Sequence, residues 1–377
     1  MPVKDKIVSW WIQNVILPKR EIIDKPGFVV TTFTEGTKII YLRDFFLPEQ
    51  LFELIENNIV RSYGNQGKQA LYSAGKKFGH LFASLSDFPS IQNSDKKTLF
   101  NFAYLFIRYL EGTYAKQANH EMDFEKKMFS ISFKDYIICR HNGFGYIMTD
   151  GGIAGIWSFV MQDKSLEGVQ LKCQGRGDDE CFVICAPEKS IEEKTEIFFR
   201  ETDLSELKFD IMYKAMNEIR ETTYAKNSLK DLIDAGFFYF HGGILSYKNN
   251  RFFHCDTHVL FLLEQEIAKL PGGEQILFDA SFEYGKLLRK TYGENDYQKF
   301  IPDFFSALGF GDILVVDSEN LRIVTMFYPW TIFSKQTKYI IYRGIMSGIV
   351  SDATGKDIKF NNFNEDISQY LTLTITV

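Results

Sequence analysis

The stretch 151–183, GGIAGIWSFVMQDKSLEGVQLKCQGRGDDECFV, decides how the rest of the chain is read. It opens with Gly151, Ala154 and Gly155. Residues four apart share a helix face, so the two glycines make a flat strip along one side of a helix. In a soluble protein such a strip lets the helix lie very close to a neighbouring element. A strand, a glycine-rich turn and a second strand follow. Cys173 and Cys181 flank that turn, with Gly177 midway between them. Val169, Leu171 and Cys173 are expected on one face of the first strand, and Cys181, Val183 and Cys185 on one face of the second. If the strands pair around the turn, Cys173 and Cys181 point to the same side.

The same order of elements occurs twice. A hairpin is expected over 28–42, then three helices, a strand, the small-residue helix and two strands. The second half repeats this, with a hairpin turn at Asn249-Asn250 and a second small-residue helix carrying Gly344, Ser347 and Gly348. Gln69, Leu71, Phe78, Gly79 and Leu81 match Gln275, Leu277, Tyr284, Gly285 and Leu287 at a constant offset of 206. The period is too long for a solenoid, so the chain reads as two copies of one domain. The copies are placed at 1–187 and 229–377. Charged residues with helical periodicity join them over 188–228.

A chain of 377 residues suits two domains. Its 36 Phe and 19 Tyr favour thick cores or roomy apolar pockets. A net charge of −6 argues against a nucleic-acid partner. No apolar run is long enough to span a membrane. The N-terminal 21 residues read as an amphipathic helix, not a signal peptide. Five cysteines without a secretion signal imply reduced thiols and a cytoplasmic protein.

The run from Gly151 to Val183 resembles the 4-vinyl reductase domain family, also described as hydrocarbon-binding. The likeness lies in Gly-x-x-Ala-Gly followed by Cys-x-x-x-Gly-x-x-x-Cys. It extends more weakly over the second copy, where NNFNEDISQYL replaces the glycine and both cysteines. The resemblance implies an α+β fold shared with trafficking-complex subunits and haem nitric-oxide sensors. Each copy is then a twisted antiparallel sheet packed by helices around an apolar cavity. It also implies a homodimer or a signalling partner protein.

Zinc at Cys173 and Cys181 is one reading of the cysteine hairpin. A structural zinc site needs four groups. The phenol-sensing members of the family complete the set at positions that correspond here to Gln170 and Tyr146, neither a good ligand. Cys139, His141, Cys185, Asp178 or Glu180 could substitute. A tight hairpin with two reduced thiols is the favoured alternative. "FHCDTH" holds His254, Cys255 and His258, but Asp256 reads as a helix N-cap, which leaves His254 outside the helix. No catalytic nucleophile with a base and an orienting group is evident.

The expected function is binding or sensing of a small apolar ligand, aromatic or lipid-like, by the first copy. Phe144, Tyr146 and Trp157 are the expected ligand-binding residues, and Gly151, Gly155, Gly177, Gly344 and Gly348 the structural ones. The second copy is expected to be mainly structural or dimerising. An enzyme or enzyme subunit acting on such a ligand, and a scaffold, are the other readings. No redox-cofactor motif is present, which favours binding over an enzyme.

Overall fold

The structure is a computed structural model. It describes residues 22–35, 38–86, 88–111, 114–136, 147–195, 199–200, 203–204, 221–241, 244–248, 250–292, 296–317, 320–333, 335–368 and 371–377. The expected N-terminal helix and most of the expected helical link over 188–228 lie outside these residues.

The described chain is α+β, with several antiparallel sheets packed by helices. Its first half begins with β1 (Ile22–Lys25), β2 (Phe28–Glu35) and β3 (Lys38–Pro48). Three helices follow: α1 (Glu49–Tyr63), α2 (Asn65–Leu85) and α3 (Lys96–Leu110). Next come β4 (Gln117–Asp123), β5 (Met128–Lys134), the small-residue helix α4 (Ile147–Val160), β6 (Leu166–Lys172), β7 (Cys181–Pro187) and the short α5 (Glu188–Glu192).

After α6 (Leu229–Asp234) the order recurs. Strands β8 (Tyr239–His241), β9 (Ile244–Tyr247) and β10 (Asn250–Asp256) precede helices α7 (His258–Ile267), α8 (Gly273–Tyr292) and α9 (Tyr297–Ala307). Then come β11 (Asp312–Val316), β12 (Arg322–Met326), the second small-residue helix α10 (Ile340–Thr354), β13 (Asn362–Asp366) and β14 (Thr372–Thr376).

The sheets repeat as the elements do. One four-stranded sheet has the order β4-β5-β7-β6, and the other β11-β12-β14-β13. A six-stranded sheet reads β1-β2-β3-β10-β9-β8, so it is built equally from both halves. This differs from the expectation of one sheet per copy. The cause is the antiparallel ladder between β3 and β10, in which Leu47 faces Phe253 and Asp44 faces Asp256. Leu47 and Phe253 are also 206 residues apart, the offset of the repeat, so this pair sits on the pseudo-two-fold axis.

Helices cross over in the same way. α1 of the first half packs on α8 of the second, and α7 of the second packs on α2 of the first. Buried ion pairs join the halves: Lys77 Nζ lies 2.8 Å from Glu266 Oε1, and Arg251 lies 2.9 Å from Glu49 Oε2. Arg43 is buried and donates to Gly309 O at 3.0 Å. The halves therefore share one continuous core.

Within each half, two helices touch backbone to backbone. A Cβ on Gly155 of α4 would stand 2.1 Å from Lys76 O, and one on Gly151 would stand 2.1 Å from Tyr72 O. The facing helix contributes too, since a Cβ on Gly79 of α2 would stand 1.9 Å from Gly152 O. The second half repeats the contact: a Cβ on Gly348 would meet Phe282 O at 2.0 Å, and one on Gly285 would meet Ile345 O at 2.2 Å. No side chain fits in these gaps, so the crossing requires glycine.

Replacing Gly155 or Gly348 with alanine is therefore expected to destabilise, despite alanine's better helix propensity. The cost should be on the order of 1–3 kcal/mol or more, because backbone cannot give way as a side chain does. Thermal melts of Gly155→Ala and Gly348→Ala check this; a raised Tm in either would show that the two helices are not in contact there.

Candidate functional site

The β6–β7 hairpin sets one wall of the site. Its ladder carries an irregularity between Gln170 and Lys172, which takes Leu171 out of register. The expected face shared by Val169, Leu171 and Cys173 is therefore corrected. Val169 and Leu171 pack with Ile184, Ala186 and Ile191 on one side, whereas Cys173 joins Cys181, Val183 and Cys185 in the main core. A bulge resets the two-residue alternation, so the residue beyond it changes face. Gly177 has φ of 99°, the left-handed conformation that glycine adopts without strain, where the chain leaves the turn at Gln174–Arg176.

Cys173 and Cys181 are both buried, and neither is in a disulfide. The Cys173 N–H donates to Asp178 Oδ2 at 2.7 Å, so this loop carboxylate caps the turn. The Gln174 N–H reaches Cys181 Sγ at 3.5 Å. Among the described residues, no three His, Cys, Asp or Glu side chains converge to hold a metal. Gln170 supplies a neutral amide where a carboxylate ligand would serve. The described residues thus do not fit a zinc site; Cys139 and His141 lie outside them.

Phe144 and Tyr146 also lie outside the described residues. Trp157 is buried, its Nε1–H donates to Lys127 O at 2.9 Å, and its ring is covered by Phe129 at 5.4 Å and Phe124 at 5.8 Å. It fills the core between α4 and the β4–β5 hairpin.

Ionisable groups that the sequence reading did not single out gather around the start of α4. Glu56 on α1 is 1% exposed, and among the described residues neither of its carboxyl oxygens has a hydrogen-bond partner. Its carboxyl lies toward the Ile147 N–H at the N-terminus of α4, outside good hydrogen-bond geometry. Asp150, in the first turn of α4, is buried with Oδ1 unpartnered. Burial pushes both carboxyls well above the usual carboxylate range. The charges of Asp150 and Cys173 push Glu56 further up, and Cys173 does the same to Asp150, against the opposing pull of Arg176. Burial therefore favours the neutral form of both acids, the form that can donate a hydrogen bond. Leaving a buried polar atom without a partner costs about 1–3 kcal/mol.

A second buried cluster lies across α2. Lys76 is fully buried, with Nζ 2.8 Å from Glu167 Oε2. The Tyr72 hydroxyl donates to the same oxygen at 2.6 Å and accepts from the Gly168 N–H at 2.8 Å. At the repeat offset of 206, Tyr72 and Lys76 correspond to Phe278 and Phe282. Asp150 corresponds to Arg343 at the offset of 193 that relates Gly151 to Gly344. Aligning the two copies residue by residue would have found the exchange of Tyr72 and Lys76 for phenylalanine.

The "FHCDTH" residues divide as the N-cap reading requires. His254 lies in β10, 3.0 Å from Asp44. Asp256 Oδ1 accepts from the His258 N–H at 2.8 Å at the start of α7.

No known family's sequence profile matches the chain. The curated proteins contain no match either. Among solved structures, the chain is similar to the crystal structure of the phenol-responsive sensory domain of the transcription activator PoxR with phenol. The TM-score is 0.34 at 14% identity, covering 52% of this chain and 94% of that chain. No described helix is long and apolar enough to cross a membrane.

The second half places a glutamate comparably, but satisfies it. Glu264 on α7 accepts from the Ile341 N–H at 2.8 Å and from the Thr337 hydroxyl at 2.9 Å, at the start of α10. Burial still pushes its pKa from 4.5 up to about 7. A carboxyl raised in the folded state imposes no penalty below its unfolded pKa and an increasing one as pH rises through the folded value. Glu264→Gln is therefore expected to gain stability relative to wild type between pH 4.5 and 7, by about 3 kcal/mol at pH 8. Denaturant titrations of both proteins at pH 4 and pH 8 measure this difference; equal pH slopes would contradict it.

Proposed function

We propose that the first half binds a small apolar molecule, aromatic or lipid-like, at the N-terminal end of α4, and that Glu56 and Asp150 hold its polar end. The observation that carries this reading is the pair of buried carboxyls with unpartnered oxygens. Folding alone gains nothing from them, and native interiors rarely keep such groups without a use. Tyr136, stacked on Phe133 at 4.7 Å, supplies nearby aromatic surface. Phe144 and Tyr146 precede Ile147 directly in sequence and belong to the same proposal. So do the boundaries 1–187, 188–228 and 229–377.

In this reading the second half is a structural partner. The resemblance noted above implies a dimer of single domains. Here the β3–β10 ladder and the exchanged helix contacts give the first half a partner within its own chain. An enzymatic role toward the same molecule is the second reading, favoured by the two buried carboxyls, whose protonated form could deliver a proton.

Native mass spectrometry of the purified protein tests ligand and assembly together. A retained small molecule, on a species of one chain's mass, is the expected result. Glu56→Leu should be more stable by on the order of 1–3 kcal/mol, since an unpartnered buried acid is removed. The same variant should bind the ligand at least about tenfold more weakly. A wild-type protein that retains nothing, and shows no saturable Tm shift with phenolic, polycyclic or lipid-like compounds, would leave the scaffold reading in its place.

A further inference from the structure

Arg251 belongs to the second half, on β10, yet its side chain reaches into the first. It is buried, and its guanidinium holds three groups there. Nε and Nη2 each lie 2.9 Å from Glu49 Oε2, at the start of α1. Nη1 lies 3.4 Å from Asp135 Oδ1, and Nη2 donates to Tyr136 O at 3.4 Å. Asp135 and Tyr136 directly follow β5. A guanidinium can hold several acceptors at fixed angles because its N–H groups form a rigid planar fork.

Each of these groups leads to the carboxyls at the start of α4. Glu49 and Glu56 are seven residues apart on α1, so they share a face of that helix. The Tyr136 hydroxyl is 3.0 Å from Thr149 Oγ1, in the first turn of α4 and next to Asp150. The Asp135 N–H donates to Gln174 Oε1 at 2.7 Å, and Gln174 follows Cys173 in the β6–β7 turn. α1, α4 and that turn carry Glu56, Asp150 and Cys173. One side chain from the second half therefore ties together the three pieces that bring these groups near one another.

The repeat shows that the topology does not require this ion pair. At the offset of 206, Arg251 corresponds to Phe45 and Glu49 to Cys255. Phe45 and Cys255 face each other in the β3–β10 ladder, and both are buried. Phe45 packs on Phe310 at 5.2 Å and Trp330 at 6.5 Å. An ion pair on one side of the pseudo-two-fold axis thus takes the place of an apolar pair on the other. A buried ion pair seldom adds stability over such packing, so the geometry it imposes is the better reason for it.

We propose that Arg251 is a positioning residue for the first-half site: from the second half it fixes α1, the Asp135–Tyr136 segment and the start of α4 relative to one another. The inference rests on the reading of Glu56 and Asp150 given above, and it makes the second half part of that site. The test uses the full-length chain and two readouts, amide hydrogen exchange by mass spectrometry and binding of 2-naphthol followed by its fluorescence. Arg251→Lys keeps a charge for Glu49 but loses the fork. Amides at 135–136 and 173–177 should then exchange about tenfold faster than in wild type, with those of α10 unchanged. Affinity for 2-naphthol should also fall about tenfold. The double variant Arg251→Met/Glu49→Leu removes both members of the buried pair, so it tests the same point should Arg251→Lys fold poorly. Glu56→Leu should lose 2-naphthol but keep wild-type exchange at these amides, so the two ideas fail separately. Wild-type exchange at 135–136 and 173–177 in both Arg251 variants would overturn the proposal. So would an equal rise in α10, which marks a loss of stability everywhere, or undiminished 2-naphthol affinity in both variants. A wild-type chain that binds no 2-naphthol removes the ligand reading, and the exchange result then decides whether Arg251 fixes these segments.

Discussion

Leu47 faces Phe253 across the β3–β10 ladder, and the position of every other element follows from that pairing. An edge strand left open is an aggregation hazard, and each half has one in its hairpin. Pairing the two hairpins with each other removes both edges at once. It also fixes the pseudo-two-fold axis, which sends α1 onto α8 and α7 onto α2. Neither half can keep its core without the other, because each lends a helix across the axis. The glycine crossings act inside this frame. They set α4 against α2, and α10 against α8, at backbone distance, and so fix where the start of each small-residue helix lies.

The two halves share topology but not polarity. Around the first crossing lie Tyr72, Lys76 and Glu167, bonded to one another in the core. Around the second, Phe278 and Phe282 take the places of Tyr72 and Lys76. A buried ion pair seldom improves stability over well-packed apolar groups. The second half shows that the fold accepts the apolar solution, so the first half's charged groups are not a requirement of topology. The same logic applies to the two glutamates. Glu264 closes the start of α10 with two hydrogen bonds, while Glu56 lies toward the start of α4 and makes none among the described residues.

Much of the architecture was legible in the sequence because repetition is visible without knowing any contact. The constant offset between Gly79 and Gly285 marked the two copies, and the paired glycines marked the close helix crossings. Strand partners were not legible. The pattern of β3 and β10 says that they are strands but does not name their neighbours, so the shared sheet went unforeseen. Cys173 defeated strict alternation because the bulge before it depends on local ladder geometry that residue types do not encode. Trp157 was expected to line a cavity because it follows Gly155 on the small-residue helix; its ring packs against Phe124 and Phe129. Glu56 and Asp150 were passed over because single acids on amphipathic helices usually face solvent. Only the packing of both α1 and α4 on α2 places them inside.

Duplication offers a physical reason for this division. Stability in a shared core is pooled, so one half can carry unfavourable groups if the other packs well. The second half is dense in ring contacts, with Phe261 stacked on Phe333 at 4.0 Å and Tyr328 against Tyr342 at 4.6 Å. Each aromatic pair adds on the order of 0.5–1.5 kcal/mol beyond its buried area. Among the described residues, the first half buries acid oxygens without partners, both of Glu56 and Oδ1 of Asp150, whereas in the second half such atoms include the neutral Ser306 Oγ and Trp330 Nε1. A single copy could not bring Ser86 and His258 to one place, because they come from opposite halves. The pairing that closes the hairpin edges is thus also what brings side chains of the two halves together where α2 ends and α7 begins.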